Sequence, residues 1–369
     1  MNNTNPIRIL HVVTYMGRGG LETMIMNYYR HIDRSKIQFD FLVHRDFRAD
    51  YDDEIESLGG QIFRIPQLIP WSKRYLSTLE HFFRNHPEYK IVHVHQDCLS
   101  SVILKVAKKC GVPVRIAHSH SSSQDKNFKY LIKLFYKKQI PTHATQLFAC
   151  GKDAGNWMFG GAPYRIINNA IDSSAYTFDT VKRSKMRQEL AMAEDAFVIG
   201  HVGRFNAVKN HTFLLDVFAE VKRHDENAVL LLVGDGDLRA EMEQKAAALG
   251  ISDCVIFTGV RGDVPDLMRA MDCFVFPSLY EGLPVTLVEA QAAGLPCLVS
   301  DGVPVECAKT DLVKHIPLSA STTQWAEEIL KTQHISRRNT KEQIIQAGYD
   351  ITANAQWLQN YYLEQWEEA

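Results

Sequence analysis

Two glutamates, Glu281 and Glu289, bracket the stretch of this 369-residue chain best suited to holding a reactive ligand. An apolar run, Cys273 to Phe276, reads as a buried strand; a loop follows, then a helix-forming segment with Pro284 at the expected first helical position. A loop that carries a strand's carboxyl end into a helix is where open α/β sheets place ligands. Gly282 lets a ligand approach the backbone, and free N–H groups at a helix start attract an anion. Two carboxylates serve a bare phosphate poorly. They suit hydroxyls on a phosphorylated ligand, because an ionised carboxylate only accepts hydrogen bonds. A nucleotide sugar combines both features. The competing reading makes both glutamates ordinary helix-start and solvent-face residues.

Other candidate groups also stand at strand ends. Phe197 to Val202 runs into GRFNAVKN, which carries Arg204 and Lys209 to the rim of a sheet. Val229 to Val233 ends in Gly-Asp-Gly-Asp, whose Asp235 and Asp237 read as a turn with a cap at the next helix start rather than as metal ligands. Val114 to His120 ends in two histidines, His118 and His120, which either finish the strand or face a ligand. Ile7 to Val13 ends in Gly17-Arg18-Gly19-Gly20, and Leu21, Met24, Ile25, Tyr28, Tyr29 and Ile32 then recur at helical spacing.

These groups need strands and helices in alternation to position them. Further strand runs fall at Gln38 to Val43, Gln61 to Ile65, Ile91 to Val94, Val112 to Ala117, Gln146 to Cys150, Tyr164 to Ala170, Val255 to Thr258 and Pro296 to Ser300. Helical or polar stretches separate them, and such alternation implies parallel sheets wrapped by helices. Residues 173 to 195 read as helical without a strong apolar face, and Trp325 to Leu330 and Ile344 to Tyr349 as helices. The final segment, with Trp357, Leu358, Tyr361, Tyr362, Leu363 and Trp366, is too aromatic for a loose tail.

Composition narrows the class. With 46% hydrophobic and 23% charged residues the chain has the balance of a soluble globular protein. Its length exceeds one ordinary core, so two domains are expected. A formal net charge of −2 gives no electrostatic case for nucleic acid. Seven scattered cysteines without a CxxC pair read as free thiols in a reducing compartment, with neither zinc nor disulfides. No secretory signal and no run of ~20 apolar residues is present, which points to the cytoplasm. Lys126 to Lys138 sets Phe128, Leu131, Ile132 and Phe135 on one helical face among lysines. It is either an ordinary packed helix or one that lies on the inner face of an anionic membrane.

Glu281-Gly-Leu-Pro with Glu289, taken with Gly203-Arg204-Phe205, Lys209, Gly234-Asp235-Gly236 and Gly17-Arg18-Gly19-Gly20, resembles the signature of retaining glycosyltransferases of the GT-B fold, family 4 (group 1). The overall look resembles the bacterial exopolysaccharide and capsule members. The resemblance spans nearly the whole chain. It implies two Rossmann-like, doubly wound domains with a cleft between them. Residues 1–170 would bind the acceptor, 171–345 would bind the nucleotide sugar, and 346–369 would form a helical segment crossing back to the first domain. It implies that Arg204 and Lys209 bind the donor diphosphate, that Glu281 and Glu289 clamp sugar and ribose hydroxyls, and that His118 contacts the transferred sugar, with His120 in reserve. Gly19, Gly20, Gly203, Gly282 and Leu283 would face the donor, and the loop at Val260 would meet the base. No cofactor and no metal are implied. Where the family often has Asn-Gly-Ile-Asp, this chain has Asn169-Ala170-Ile171-Asp172, so no glycine-specific backbone angle is needed there. The implied reaction moves a sugar from a nucleotide sugar to a glycan or lipid-linked acceptor in extracellular or capsular polysaccharide synthesis. Two alternatives are a nucleotide-sugar epimerase of the same fold, which needs acid/base carboxylates that only Asp50 to Glu56 could supply, and a binding regulator without turnover.

Overall fold

The apolar runs become strands of two separate sheets, and in both every pairing is parallel. In the computed structural model the described residues are 5–121 and 130–369. They divide into unit 1, Met1–Ala170 with Ile351–Ala369, and unit 2, Ile171–Asp350. The strands read as continuous apolar runs because helices cover both faces, leaving no solvent side to demand alternation.

Unit 1 holds β1 (Ile7–Val13), β2 (Ile37–Val43), β3 (Ile62–Arg64), β4 (Ile91–Val94), β5 (Val114–Ser119), β6 (Gln146–Ala149) and β7 (Arg165–Ile166). Their order is β3-β2-β1-β4-β5-β6-β7, so the winding reverses between β1 and β4. One face packs Met24, Tyr29, Phe39 and Phe148, the other Leu79, Phe82, Ile103 and Met158. The final helix, Ile351–Glu367, belongs to this unit and lies against the helix Gly20–His31. Gln359 anchors it by accepting from the Asp33 N–H at 2.7 Å. The expected strand Tyr164 to Ala170 shrinks to two residues, β7 being an edge strand paired, among the described residues, to β6 alone.

Unit 2 holds β8 (Val198–Val202), β9 (Val229–Val233), β10 (Val255–Phe257), β11 (Cys273–Phe276), β12 (Cys297–Ser300) and β13 (Val313–Ile316), in the order β10-β9-β8-β11-β12-β13. The reversal falls between β8 and β11, whose ladder pairs Ile199 with Cys273 and Gly200 with Phe274. Gly200 is required there: a Cβ would stand 2.0 Å from Met271 Sδ. The polar helix expected within 173 to 195 forms at Thr180–Glu189 and buries Arg187 completely. That guanidinium donates to the carbonyls of Ala270, Glu194 and Ala196 at 3.1, 2.6 and 2.9 Å and to Asp272 Oδ2 at 2.7 Å, fixing the entry to β11. The helix expected to reach Tyr349 ends at Gln346, because Gly348 takes a left-handed φ of +80°. No helix among the described residues is long and apolar enough to cross a membrane.

Candidate active site

The reversal between β8 and β11 places the loops 203–210 and 277–284 side by side, at the edge where doubly wound sheets bind ligands. One bond within the first loop and two between the loops make them one surface. The Asn206 side chain accepts from the Lys209 N–H at 3.1 Å, the Leu279 N–H donates to the Val208 carbonyl at 2.8 Å, and Asn210 Nδ2 donates to the Pro277 carbonyl at 3.2 Å. Asn210 is left-handed (φ 54°), a conformation Asn tolerates better than most side chains. Held this way, Lys209 Nζ lies over the Phe276 ring, 4.5 Å from its centre, and donates to Glu281 Oε1 at 2.6 Å. The two side chains are 17% and 12% exposed, so the pair is partly screened from water. Gly203 backs it: a Cβ there would meet Lys209 Cδ and Cε at 3.4 Å.

Arg204 stands apart from that pair. Its side chain is 66% exposed and comes only to 3.7 Å of Asp237, itself 89% exposed, a contact that constrains it little. The N–H groups of Gly282 and Leu283 have no acceptor among the described residues, whereas the Glu281 N–H is already taken by the Gly302 carbonyl at 3.0 Å. Pro284 occupies the N-cap, one residue before its expected place, and the helix runs Val285–Ala292 without a side-chain cap. The turn at Asp235 and Asp237 also differs from expectation. The following helix, Arg239–Ala248, is preceded by Leu238, and neither aspartate caps it. Asp235 Oδ1 instead accepts from the Gly236 N–H at 2.7 Å. Gly234, at φ +134°, passes so close to the loop after β8 that a Cβ would lie 2.2 Å from the Gly203 carbonyl oxygen. Val260 is exposed in the loop after β10, beside Gly259 at φ +70°.

Glu289, within the helix Val285–Ala292, is 7% exposed. Burial pushes its carboxyl up to about 7, an effect that a hydrogen bond from Tyr176 partly offsets. Neither Tyr176 nor the buried His201 was singled out from sequence. The His201 Nδ1 lies 2.9 Å from the Val275 carbonyl, beside the site loops.

In unit 1, Gly19 is the N-cap of the helix Gly20–His31. A Cβ on Gly19 would stand 2.3 Å from Glu22 Oε2, so a carboxylate lies over that residue, whereas the space around Gly20 is open. His118 and His120 are two of five stacked histidines. His11 pairs in register with His93 across β1 and β4. His93 Nε2 and His118 Nδ1 are 3.1 Å apart, His11 Nδ1 and His95 Nε2 3.1 Å, and His95 Nδ1 and His120 Nε2 2.8 Å. Burial keeps all five neutral, holding His11 and His120 down at about 3 and the others well below the usual imidazole range. His95, His118 and His120, and likewise His11, His93 and His95, bring ring nitrogens within 4.8 Å of one another, close enough for a divalent ion. Ring nitrogens of these residues already bond to each other, and an ion would have to break those bonds. The sequence signal for the network was the repeated His-x-His at 93–95 and 118–120, which sets both members of each pair on one face of a strand.

The acidic run at 50–56 does not gather around a ligand. Asp52 is bound by Arg64, Asp53 and Glu56 by Arg48, and Glu54 by Arg30. Of the basic segment Lys126 to Lys138, residues 126–129 lie outside the described residues. The helix Tyr130–Lys137 buries none of its side chains, and Leu131 and Phe135 are 75% and 63% exposed.

Residues 182–349 match the family described as Glycosyl transferases group 1, and residues 18–175 match Glycosyltransferase Family 4. EpsF of Bacillus subtilis (strain 168), which carries the name of a glycosyltransferase, is 39% identical, covering 98% of this chain and 97% of that protein. The capsular polysaccharide biosynthesis glycosyltransferase CapH of Staphylococcus aureus is 23% identical, covering 77% of this chain and 78% of CapH. Among solved structures, Anabaena HepE in complex with UDP and glucose superposes with a TM-score of 0.79 at 19% identity, covering 96% of this chain and 99% of that one. Sucrose-phosphate synthase of Thermosynechococcus elongatus superposes with a TM-score of 0.75 at 18% identity, covering 98% and 100%. At such identities the structures establish the shared GT-B architecture.

Proposed function

This chain belongs to the group 1 and family 4 glycosyltransferases, and from that premise we propose that it moves a sugar, with retention at the anomeric carbon and without a metal ion, from a nucleotide sugar to a glycan or lipid-linked acceptor. Its broader role is glycosyl transfer in polysaccharide biosynthesis. The observation that carries the finer reading is the Lys209 and Glu281 pair at 2.6 Å, set beside the unpaired Gly282 and Leu283 amides. A cation, a carboxylate and free amides on one loop surface answer a diphosphate that carries hydroxyl groups.

In this reading the bond from the anomeric carbon to the diphosphate breaks as the acceptor oxygen attacks from the same face. The departing diphosphate takes the acceptor proton. Lys209 and Arg204 stabilise its growing charge, the loop amides add fixed dipoles, and no divalent cation is needed. Glu281 keeps Lys209 in place and accepts from a sugar hydroxyl, Glu289 accepts from the ribose, and Gly203 and Val260 line the donor. Unit 1 carries candidate contacts of its own, His118 for a sugar and the Gly19-Gly20 turn for a phosphate. The exposed Leu131 and Phe135 suit a helix resting on the cytoplasmic face of a membrane that presents a lipid-linked acceptor. Because HepE is recorded with UDP and with UDP-glucose, uridine donors are the first to test.

A thermal-shift screen of nucleotide sugars identifies the donor, since a ligand at ~100 times its dissociation constant stabilises by roughly 2.7 kcal/mol. The donor is then incubated with and without candidate acceptors. Nucleotide released only in the presence of acceptor, with the product linkage of the same anomeric configuration as the donor, is the expected result. An altered sugar without any acceptor would make the protein an epimerase, and binding without turnover a regulator.

A further inference from the structure

Three of the five stacked histidines of unit 1 stand at the carboxyl edge of its sheet, and the other two stand behind them. Ile116 pairs with His93 across β4 and β5, which brings His118 level with His95, while His11 and His93 lie one side-chain step further back on β1 and β4. His95, His118 and His120 each offer a ring nitrogen, and these atoms lie within 4.8 Å of one another. His95 and His118 are buried, whereas His120, just beyond β5, is partly exposed. The trio is therefore closed on the sheet side and reached past His120.

His118 Nε2 is buried and has no hydrogen-bond partner among the described residues. Its other ring nitrogen lies 3.1 Å from His93 Nε2, and His95 Nε2 lies 3.1 Å from His11 Nδ1. A histidine that ligates a metal through one nitrogen donates the N–H of the other to an acceptor behind it, which fixes the ring. Here those acceptors are in place, His93 behind His118 and His11 behind His95. An ion held by His118 Nε2, His95 Nδ1 and His120 Nε2 leaves both of those bonds intact. The one bond lost is that between His95 Nδ1 and His120 Nε2, which are 2.8 Å apart. Nitrogens at about 2.0–2.1 Å from a tetrahedral ion stand about 3.3 Å from each other, so His120 has to withdraw by about 0.5 Å. The His120 N–H left over sits on the one ring of the three able to turn towards water. Protons present no obstacle. The Tyr362 hydroxyl of the terminal helix lies 2.7 Å from His93 Nδ1, and whichever way the string from Tyr362 through His93 to His118 donates, one buried donor lacks an acceptor among the described residues. The direction that bares His118 Nε2 therefore forfeits no more hydrogen bonds than the other.

We propose that His95, His118 and His120 form a binding site for a divalent transition-metal ion of the zinc class, with His11 and His93 as the acceptors that orient two of the ligands. Three imidazoles without a carboxylate suit zinc, cobalt or nickel and leave magnesium, calcium and manganese, which prefer oxygen, without a ligand set. Three protein ligands keep a fourth position for water. The ion takes no part in sugar transfer. It occupies the His118 nitrogen that would otherwise meet a sugar, so a filled site inhibits. That consequence rests on the reading of His118 as a sugar contact, and the binding itself does not.

Cobalt(II), whose tetrahedral complexes absorb visible light strongly, reports the site in the full chain carrying no histidine tag. One cobalt ion per chain should bind with that spectrum, zinc should displace it, and magnesium should not. His120→Ala, at a partly exposed position, should abolish the spectrum, as should His118→Gln. His93→Leu removes the acceptor behind His118 and should weaken zinc binding roughly ten- to a hundredfold in competition titration. His81→Ala, at an exposed histidine elsewhere in the unit, should bind like the parent. No tetrahedral spectrum in the parent, or one retained in both His120→Ala and His118→Gln, would overturn the proposal. Zinc at saturation should also suppress sugar transfer, and a chelator should restore it. Undiminished transfer by a chain whose spectrum shows the site filled would overturn the sugar-contact reading of His118 and leave the metal site standing.

Discussion

Replacing Glu289 by Gln tests the donor site through its most perturbed carboxyl. Burial raises the folded-state value to about 7 from the ordinary 4.5. At about 1.4 kcal/mol per tenfold change in proton affinity, the gap corresponds to about 3 kcal/mol. The sign follows from which state holds the proton. Between pH 4.5 and about 7 the folded chain keeps it and the unfolded chain has released it, so stability from this group is full below 4.5 and lost as pH rises through about 7. The glutamine amide has nothing to titrate. Relative to the parent, Glu289→Gln should therefore gain about 3 kcal/mol between pH 4.5 and pH 8. For a unit of this size that amounts to a relative rise in melting temperature of roughly 6 to 12 °C, read by calorimetry at the two pH values. Binding supplies a second readout. If Glu289 accepts from ribose hydroxyls, UDP should bind the parent more tightly as pH rises through about 7, because a charged acceptor makes the stronger bond. The variant should show weaker binding without that rise. A stability difference between variant and parent that stays the same at both pH values would refute the reasoning, since it would mean that Glu289 ionises in the folded chain at its ordinary pH.

If Lys209 binds the donor diphosphate as proposed, Lys209→Ala removes that charge-assisted contact along with its bond to Glu281, so turnover should fall roughly ten- to several-hundredfold, and Arg204→Ala should act in the same direction. Near-parental steady-state kinetics for both would leave the phosphate site without support. If these two cations take the place of a metal, transfer should persist in excess EDTA; complete loss that magnesium or manganese restores would return Asp235 and Asp237 to consideration as ligands. Gly200→Ala forces a methyl against Met271 at the ladder of β8 and β11, and should destabilise unit 2 by about 1–3 kcal/mol in urea titration. Leu131→Ser with Phe135→Ser should weaken sedimentation with phosphatidylglycerol vesicles while leaving the melting temperature near that of the parent, since both side chains are already exposed; unchanged sedimentation would remove the case for membrane contact.

Sequence alone located every strand but β13, whose Val313–Ile316 includes the polar Lys314 and His315, because parallel strands covered on both faces must be apolar throughout; it also located the loops that carry Arg204, Lys209 and Glu281 and the strand end that carries His118, because chemistry sits at strand ends. It could not pair Lys209 with Glu281. That contact spans 72 positions and depends on the register that sets Ile199 beside Cys273, together with the two bonds that tie the two loops. Nor could it foresee that Arg204 stays exposed while Lys209 does not, since both leave the same strand as solvated charges in any local view. The raised Glu289 carboxyl is a property of burial and of Tyr176, a neighbour brought in from outside its helix. The histidine strings required more still. His11, His93 and His118 lie on three strands made adjacent only by the order β1-β4-β5, and Tyr362 arrives from the far end of the chain. Local pattern determines what an element buries and where it ends. Which polar groups then meet, and which of them lose water, follows from long-range strand order, and that order is decided only when the whole sheet closes its ladder.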